Sequence, residues 1–376
     1  MTTALFQPLR VRSLLLKNRI VISPMMQHAA PGGFVNHWHL VHLGKFALGG
    51  AGLVLTECTA VSPVGRIGKD DAGLWQDEHI APWRAVTDFV RQNGAAIGVQ
   101  LGHAGRKAGS KPLWEGGEAL TPQQMADADP RWERIGPSAV AAGEGWSTPQ
   151  AMSQDDIAQV VDEFAAAACR ADAAGFDVVE LHFGHGYLVT SFLSPLSNQR
   201  TDAYGGSRDG RMRLAVEIAS AVRAAWPQEK PLWCRLSVVD GAVGGWGEDD
   251  TVALVQRLQA VGVDVIDCSS GGLTEQTKAL PVPRGLGFQV PFASKVRAQT
   301  GVITQAVGMI VDACQAQEIL QSGSADLIAI GREALLDPYW PLHAQWALEP
   351  DRQFGDWHKR YGVWLARRQG FLDSLE

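Results

Sequence analysis

Val178-Val179-Glu180-Leu181-His182-Phe183-Gly184-His185-Gly186-Tyr187-Leu188 decides how this chain folds. Its first four residues form a short apolar run, the pattern of a parallel strand covered on both faces by helices. Polar, hydrogen-bonding side chains follow at once, at the strand's C-terminal end. Seven further runs of the same kind occur: Ile20-Val21-Ile22-Ser23, Leu53-Val54-Leu55-Thr56-Glu57, Ala96-Ile97-Gly98-Val99-Gln100, Leu232-Trp233-Cys234-Arg235, Val265-Ile266-Asp267-Cys268, Val302-Ile303-Thr304-Gln305 and Leu327-Ile328-Ala329-Ile330. Helical patterns separate them. The best marked starts at Ser153, an N-cap type, has Asp155 and Asp156 in its first turn, and runs Ala-rich to Gly175. Gly262 and Gly323 stand just before strands, where a helix-to-strand loop needs a left-handed residue. Eight strand–helix units predict a closed (β/α)8 barrel, with an open α/β sheet as the alternative.

The 376 residues are read as one barrel domain, since such barrels reach about 250 residues before insertions. Two additions account for the excess. From about Leu101 to Gln150 the chain is rich in Gly, Pro and Trp, and is expected to form a lid over the barrel mouth. From about Pro350 a tail carrying Trp357, Tyr361 and Trp364 is expected to dock, against the barrel or a second subunit. A net charge of −7 without basic runs argues against nucleic acid. Cys58, Cys169, Cys234, Cys268 and Cys314 have no C-x-x-C spacing, so a structural zinc, an iron–sulfur cluster and a disulfide framework are not expected. No leader and no membrane span are evident, so a cytoplasmic location is expected.

Catalysis in such a barrel gathers where strands end. His182 and His185 would point two N–H donors at one carbonyl oxygen, and Tyr187 would supply a proton beside it. A metal pair or a packing cluster fits the same spacing. Arg235 lies inside a strand, where a bound anion, an electron-rich ring or a buried carboxylate would be its partner. Gln100 offers an amide to a ring edge or to neighbouring backbone. Gly308 and Gly331-Arg332 follow strands seven and eight, a common phosphate position. No G-x-G-x-x-G and no P-loop occur.

Longer motifs carry a resemblance. Lys17-Asn18-Arg19-Ile20, Trp38-His39-x-x-His42-Leu43, Gln100-Leu101-Gly102-His103-Ala104-Gly105-Arg106-Lys107, Glu180 to Leu188 and Ser194-Pro195-Leu196-Ser197-Asn198-x-Arg200-Thr201-Asp202-x-Tyr204-Gly205-Gly206-Ser207 resemble the old yellow enzyme family of FMN-dependent ene-reductases, in its bacterial xenobiotic-reductase-like branch. The resemblance spans nearly the whole chain. It implies FMN, reduction by NADPH or NADH, and ping-pong transfer to an activated C=C bond. It implies that Ser23, Pro24, Met25, Met26 and Ala60 line the flavin ring. Gln100 and Arg235 would serve its pyrimidine edge, and Gly308, Met309, Gly331 and Arg332 its phosphate. His182, His185 and Tyr187 would take the substrate, with His28 beside them and Trp364 or Arg360 of the tail reaching a neighbouring subunit of a homodimer or homotetramer.

The chain departs from the branch at two positions. Where the branch usually has Cys after Pro-Met and Tyr two residues on, this chain has Met26 and His28. A thioether cannot donate as a thiol does, and an imidazole can titrate near neutrality. An altered flavin potential and an altered substrate orientation are therefore expected. Three other functions compete: a flavin barrel dehydrogenase for amines or dienoyl-CoA, a metal-dependent hydrolase built on His182 and His185, and a non-catalytic flavin-binding protein.

Overall fold

In the computed structural model, residues 3–128, 132–273 and 284–375 are described. Eight parallel strands close into a barrel: β1 (Ile20–Ile22), β2 (Leu53–Ala60), β3 (Ala96–Gly102), β4 (Val178–Phe183), β5 (Leu232–Ser237), β6 (Val265–Ser269), β7 (Ile303–Ala306) and β8 (Leu327–Ile330). The eight runs read from the sequence are these strands. β2 and β3 run further than expected, so Thr59 and Ala60 belong to β2 itself. β8 pairs with β1, Ile328 opposite Ile20, and closes the ring.

Alternation along each strand divides two apolar cores. Val21, Leu53, Leu55, Val178, Trp233, Val265, Leu327 and Ala329 fill the barrel interior, where Val11 and Leu16 of the N-terminal hairpin join them. Their neighbours Ile20, Val54, Val179, Ile266 and Ile328 face outward against the helices. Counting two residues on from Val178, Trp233 and Val265 leads to Glu180 and His182, Arg235 and Ser237, and Asp267 and Ser269. The polar rows of the mouth therefore continue the rows that pack its floor.

The helices start and stop on local chemistry. Ser153 caps Gln154–Ala173 by accepting from the Asp156 N–H, while Asp156 accepts from the Ser153 N–H at 2.7 Å. Gly262 (φ 96°) and Gly323 (φ 71°) are left-handed, as expected ahead of β6 and β8. The long insertion after β3 holds a short helix, Pro122–Ala126, and a two-strand pair, Ile135–Gly136 with Gln150–Ala151. Arg134 ties it together, donating to the carbonyls of Ala108 (2.8 Å), Gly109 (2.9 Å) and Leu120 (3.0 Å). The tail begins with Trp357 stacked on Tyr339, ring centroids 5.3 Å apart. It then forms a helix, Lys359–Asp373, of which Gly362 alone is buried. Among the described residues no helix is long and apolar enough to cross a membrane.

Candidate active site

β4 ends in a turn that only small and left-handed residues can make. His185 has φ 60° and Gly186 φ 76°, and Tyr187 then caps the helix Leu188–Leu193. A Cβ on Gly186 would lie 2.2 Å from the Gly272 carbonyl oxygen. Three elements hold this turn. Ser237 Oγ of β5 accepts from the His185 N–H at 2.8 Å and donates to the Gly271 carbonyl at 2.8 Å. Lys107 Nζ, from the start of the insertion, donates to the carbonyls of His185 and Gly272, both at 2.9 Å. Arg106 Nη2 donates to the Leu273 carbonyl at 2.7 Å.

The two histidines form a directed chain. The Gly184 N–H donates to His182 Nδ1 (3.2 Å), so the ring proton of a neutral His182 sits on Nε2. That nitrogen faces His185 Nδ1 at 3.3 Å, and His185 Nε2 faces Ser269 Oγ at 2.8 Å. Burial pushes both imidazoles well below the usual histidine value, helped by the charges of Arg235 and Lys107 and, for His182, by His185. Both are therefore neutral donors near pH 7. An oxygen entering between His182 Nε2 and His185 Nδ1 receives two N–H bonds once the Ser269 hydroxyl donates to His185 Nε2 and the His185 proton moves to Nδ1. Tyr187 lies edge-on to His182, 5.1 Å between centroids, with Lys107 Nζ 5.2 Å from its ring. Burial pushes its phenol up, and its hydroxyl has no hydrogen-bond partner among the described residues.

Beneath this lies a ring of buried polar groups. Gln100, Glu180, Arg235, Asp267 and Gln305 occupy adjacent strands. Gln100 Nε2 donates to Glu180 Oε2 (2.7 Å), and Arg235 pairs with Asp267 at 3.2 Å while donating to Ser23 Oγ at 3.2 Å. The Arg235 charge acts on both buried carboxylates, but it pairs with Asp267 alone among the described residues. Burial and the Asp267 charge push Glu180 up to about 8. The barrel thus avoids an uncompensated buried charge by holding a proton. The buried carboxylate weighed as a partner for Arg235 exists, and part of the Gln100 amide is committed to Glu180.

Ser23, Pro24, Met25, Gly308, Met309, Gly331 and Arg332 share one cavity of about 250 Å³ at the ends of β1, β7 and β8. Gly308 (φ 107°) and Met309 (φ 54°) are both left-handed there, and a Cβ on Gly308 would lie 2.6 Å from Gln289 Oε1. Arg332 Nη2 approaches Met309 Sδ at 3.3 Å. Met26 is half-buried in the same β1 loop. Ala60 has spent its backbone on the 72–74 segment, its N–H on Ala72 and its carbonyl on Leu74, each 2.9 Å. Trp364 is not brought to the mouth through this chain: it is 65% exposed on the tail helix, and its ring partner is Arg367. A larger cavity of about 580 Å³ lies outside the barrel, lined by Ser62, Trp75, Asp155, Glu163 and Arg170, and holds none of the expected site residues.

Several residues of the site carried no role in the sequence reading. Asp71 pairs with His28 at 2.6 Å, Glu57 with His39 at 3.1 Å, and Ser269 and Lys107 position His185. These contacts join residues 18 to 84 positions apart, beyond any local pattern except for the inward alternation that places Ser269. No group of three or more metal-ligating side chains occurs among the described residues.

Comparison with known proteins agrees with this architecture. Residues 4–351 match the model of the NADH:flavin oxidoreductase / NADH oxidase family. An NADPH dehydrogenase of Geobacillus thermodenitrificans is 42% identical over 347 residues, covering 92% of this chain and 94% of that protein. One from Bacillus subtilis is 42% identical over 343 residues, covering 90% and 94%. Among solved structures, morphinone reductase in complex with tetrahydroNAD superposes with a TM-score of 0.76 at 27% identity, covering 92% of this chain and 91% of that one.

Proposed function

The chain belongs to the NADH:flavin oxidoreductase / NADH oxidase family, and from that premise we propose that it uses FMN to pass hydride from NADPH or NADH to an activated C=C bond. It is an oxidoreductase; the class of acceptor is our reading. The observation that carries this reading is the pair His182 Nε2 and His185 Nδ1, facing each other 3.3 Å apart beside a phenol with no partner among the described residues. Two neutral donors aimed at one point suit a carbonyl oxygen that gains charge during reaction.

The residues present fit FMN. The cavity at the ends of β1, β7 and β8 offers backbone and Arg332 to a phosphate, and Gly308 leaves no room for a side chain. Arg235 and Gln100, buried below the mouth, offer a guanidinium and an amide to a polar ring edge. When bound, FMN supplies a carrier that takes hydride from the nicotinamide and yields it to the β-carbon of the acceptor.

The chain's own residues do the rest. His182 and His185 hold the acceptor carbonyl and stabilise the enolate charge. Tyr187 gives a proton to the α-carbon and regains one from solvent. Ser269 and Lys107 fix the His185 ring and its backbone. The balance is one hydride from the nicotinamide and one proton from water per double bond.

The test is anaerobic. Protein reduced by NADPH should be reoxidised by 2-cyclohexenone, giving cyclohexanone with label from [4-²H]NADPH at the β-carbon and solvent deuterium at the α-carbon. Reoxidation by oxygen but not by the enone sinks the reading. Assembly is a further part of the proposal. Tyr361, Val363, Trp364, Phe371 and Leu372 leave an apolar tail helix exposed, which a second copy would cover. A monomer in sedimentation at micromolar concentration would speak against it.

A further inference from the structure

His28 is the third imidazole at the mouth, and its geometry differs from that of the other two. It follows β1, three strands round the barrel from His182. Its φ of 49° is left-handed, which costs a non-glycine residue roughly 1–2 kcal/mol. Such strain persists only where the surroundings enforce it. Here they do. The Gln27 N–H donates to Glu57 Oε2 at 3.1 Å and the Ala30 N–H to the Asp70 carbonyl at 2.7 Å, fixing the chain on both sides. His28 Nδ1 lies 2.6 Å from Asp71 Oδ1. The other Asp71 oxygen accepts the N–H groups of Ile67 and Gly68, both at 2.7 Å, so the carboxylate cannot turn away. A Cβ on Gly68 would lie 2.7 Å from His28 Nδ1. Trp114 of the insertion meets the ring edge-on, 5.6 Å between centroids.

One nitrogen is therefore committed, and the other, Nε2, has no partner among the described residues. Burial by itself would push His28 down. The Asp71 hydrogen bond and the charges of Asp71, Glu57 and Asp70 overcome it and push the imidazole up. Asp71 and Asp70 also act on Arg66, and Lys107 lies against Tyr187, so the mouth is not left with surplus negative charge.

Resting on the acceptor pocket proposed above, we infer that His28, held by Asp71, is the residue that reads charge: its Nε2–H donates to an anionic oxygen, so the acceptors are conjugated compounds that also carry a carboxylate. A hydrogen bond between two charged groups is about twice as strong as a neutral one, enough for roughly tenfold selectivity.

Oxidised holoenzyme is titrated with 4-(3-oxobut-1-enyl)benzoate and with the matching benzamide, which share an enone for His182 and His185 and differ in charge at the far end, by following flavin absorbance from about pH 6 to about pH 9. The expected result is tighter binding of the benzoate at low pH, fading as pH rises through the titration of His28. His28→Gln lowers the preference about tenfold and flattens its pH dependence. Asp71→Asn does the same, and the His28 ring signal in NMR titrates at lower pH than in the wild type. Equal preference in wild type and His28→Gln overturns the inference, as does amide binding as tight as acid binding throughout. Should Asp71→Asn fail to fold, His28→Gln decides alone. Because binding is measured without turnover, loss of charge preference with enone reduction intact refutes only this inference. Charge preference without enone reduction refutes only the C=C reading.

Discussion

The His182–His185 pair and the His28–Asp71 pair place the same side chain on the same rim in opposite states. The difference lies in what meets Nδ1. At His182 it is the Gly184 N–H, a donor, so Nδ1 must accept and the ring stays neutral. At His28 it is the Asp71 carboxylate, an acceptor, so Nδ1 must donate and the ring is drawn toward the charged form. Burial, and after it the charges of Arg235 and Lys107, press His182 and His185 down, whereas the charges around His28 are carboxylates that outweigh its burial. A barrel rim thus assigns protonation through second partners, and the residue type alone does not disclose it.

The sharpest way to break this comparison is His182→Ala. Removing one of two donors should slow the acceptor half-reaction by about 10²–10³-fold while reduction by NADPH persists, as stopped-flow absorbance would show. A loss in both half-reactions would mean that the pair supports the site generally. Ser269→Ala comes next. It deprives His185 Nε2 of its 2.8 Å partner, and about fivefold slower acceptor turnover is expected for a hydrogen bond worth roughly 1 kcal/mol. An unchanged rate would show that His185 needs no orienting group.

The pH dependence of stability should separate the pairs by sign. The folded value of His28 lies above its unfolded value. Its contribution is complete below about pH 6.5 and is lost as pH rises through the folded value. His182 and His185 lie below theirs, so they weaken the fold as pH falls under about 6.5. In melting curves, His28→Gln should lie furthest below wild type at acid pH and converge with it in alkali. His182→Asn should gain on wild type as pH falls. Differences of about 2 °C per kcal/mol are expected, and parallel curves would count against the assignment. The smallest effect belongs to Met26→Cys, which places a weak thiol donor beside the proposed flavin site. A potential shift of no more than about 30 mV is expected, since that already equals ~1.4 kcal/mol for two electrons. Identical potentials would leave Met26 as filling alone.

Much of this was legible in the sequence. The eight strands announced themselves because each is buried on both faces and therefore mainly apolar up to its polar C-terminal end, and Ser153, Gly262 and Gly323 marked boundaries by capping and by left-handed geometry. His182, His185 and Tyr187 were legible because one turn presents all three. Asp71 was not, because it meets His28 through two loops that nothing local ties together. The commitment of Gln100 to Glu180 and of Arg235 to Asp267 depends on strand register, which closure of the barrel sets and periodicity along a single strand does not. The tail was legible only as a segment: its aromatics marked an apolar face, and Trp357 docks while Trp364 does not.

Lys107 has a consequence for how such a protein diversifies. It stands at the first turn of the insertion and grips the backbone of His185 and Gly272. Among the described residues between Ala108 and Met152, several return to the barrel: the Ser110 N–H donates to the Ile67 carbonyl at 2.7 Å, Trp114 meets His28, and Arg200 donates to the Pro137 and Met152 carbonyls. A laboratory graft that joins after Lys107 and before Ser153 should therefore keep these returning contacts, Trp114 on His28 above all. What such a graft changes is the side chain that meets His28, while Lys107 keeps its hold on the turn after β4.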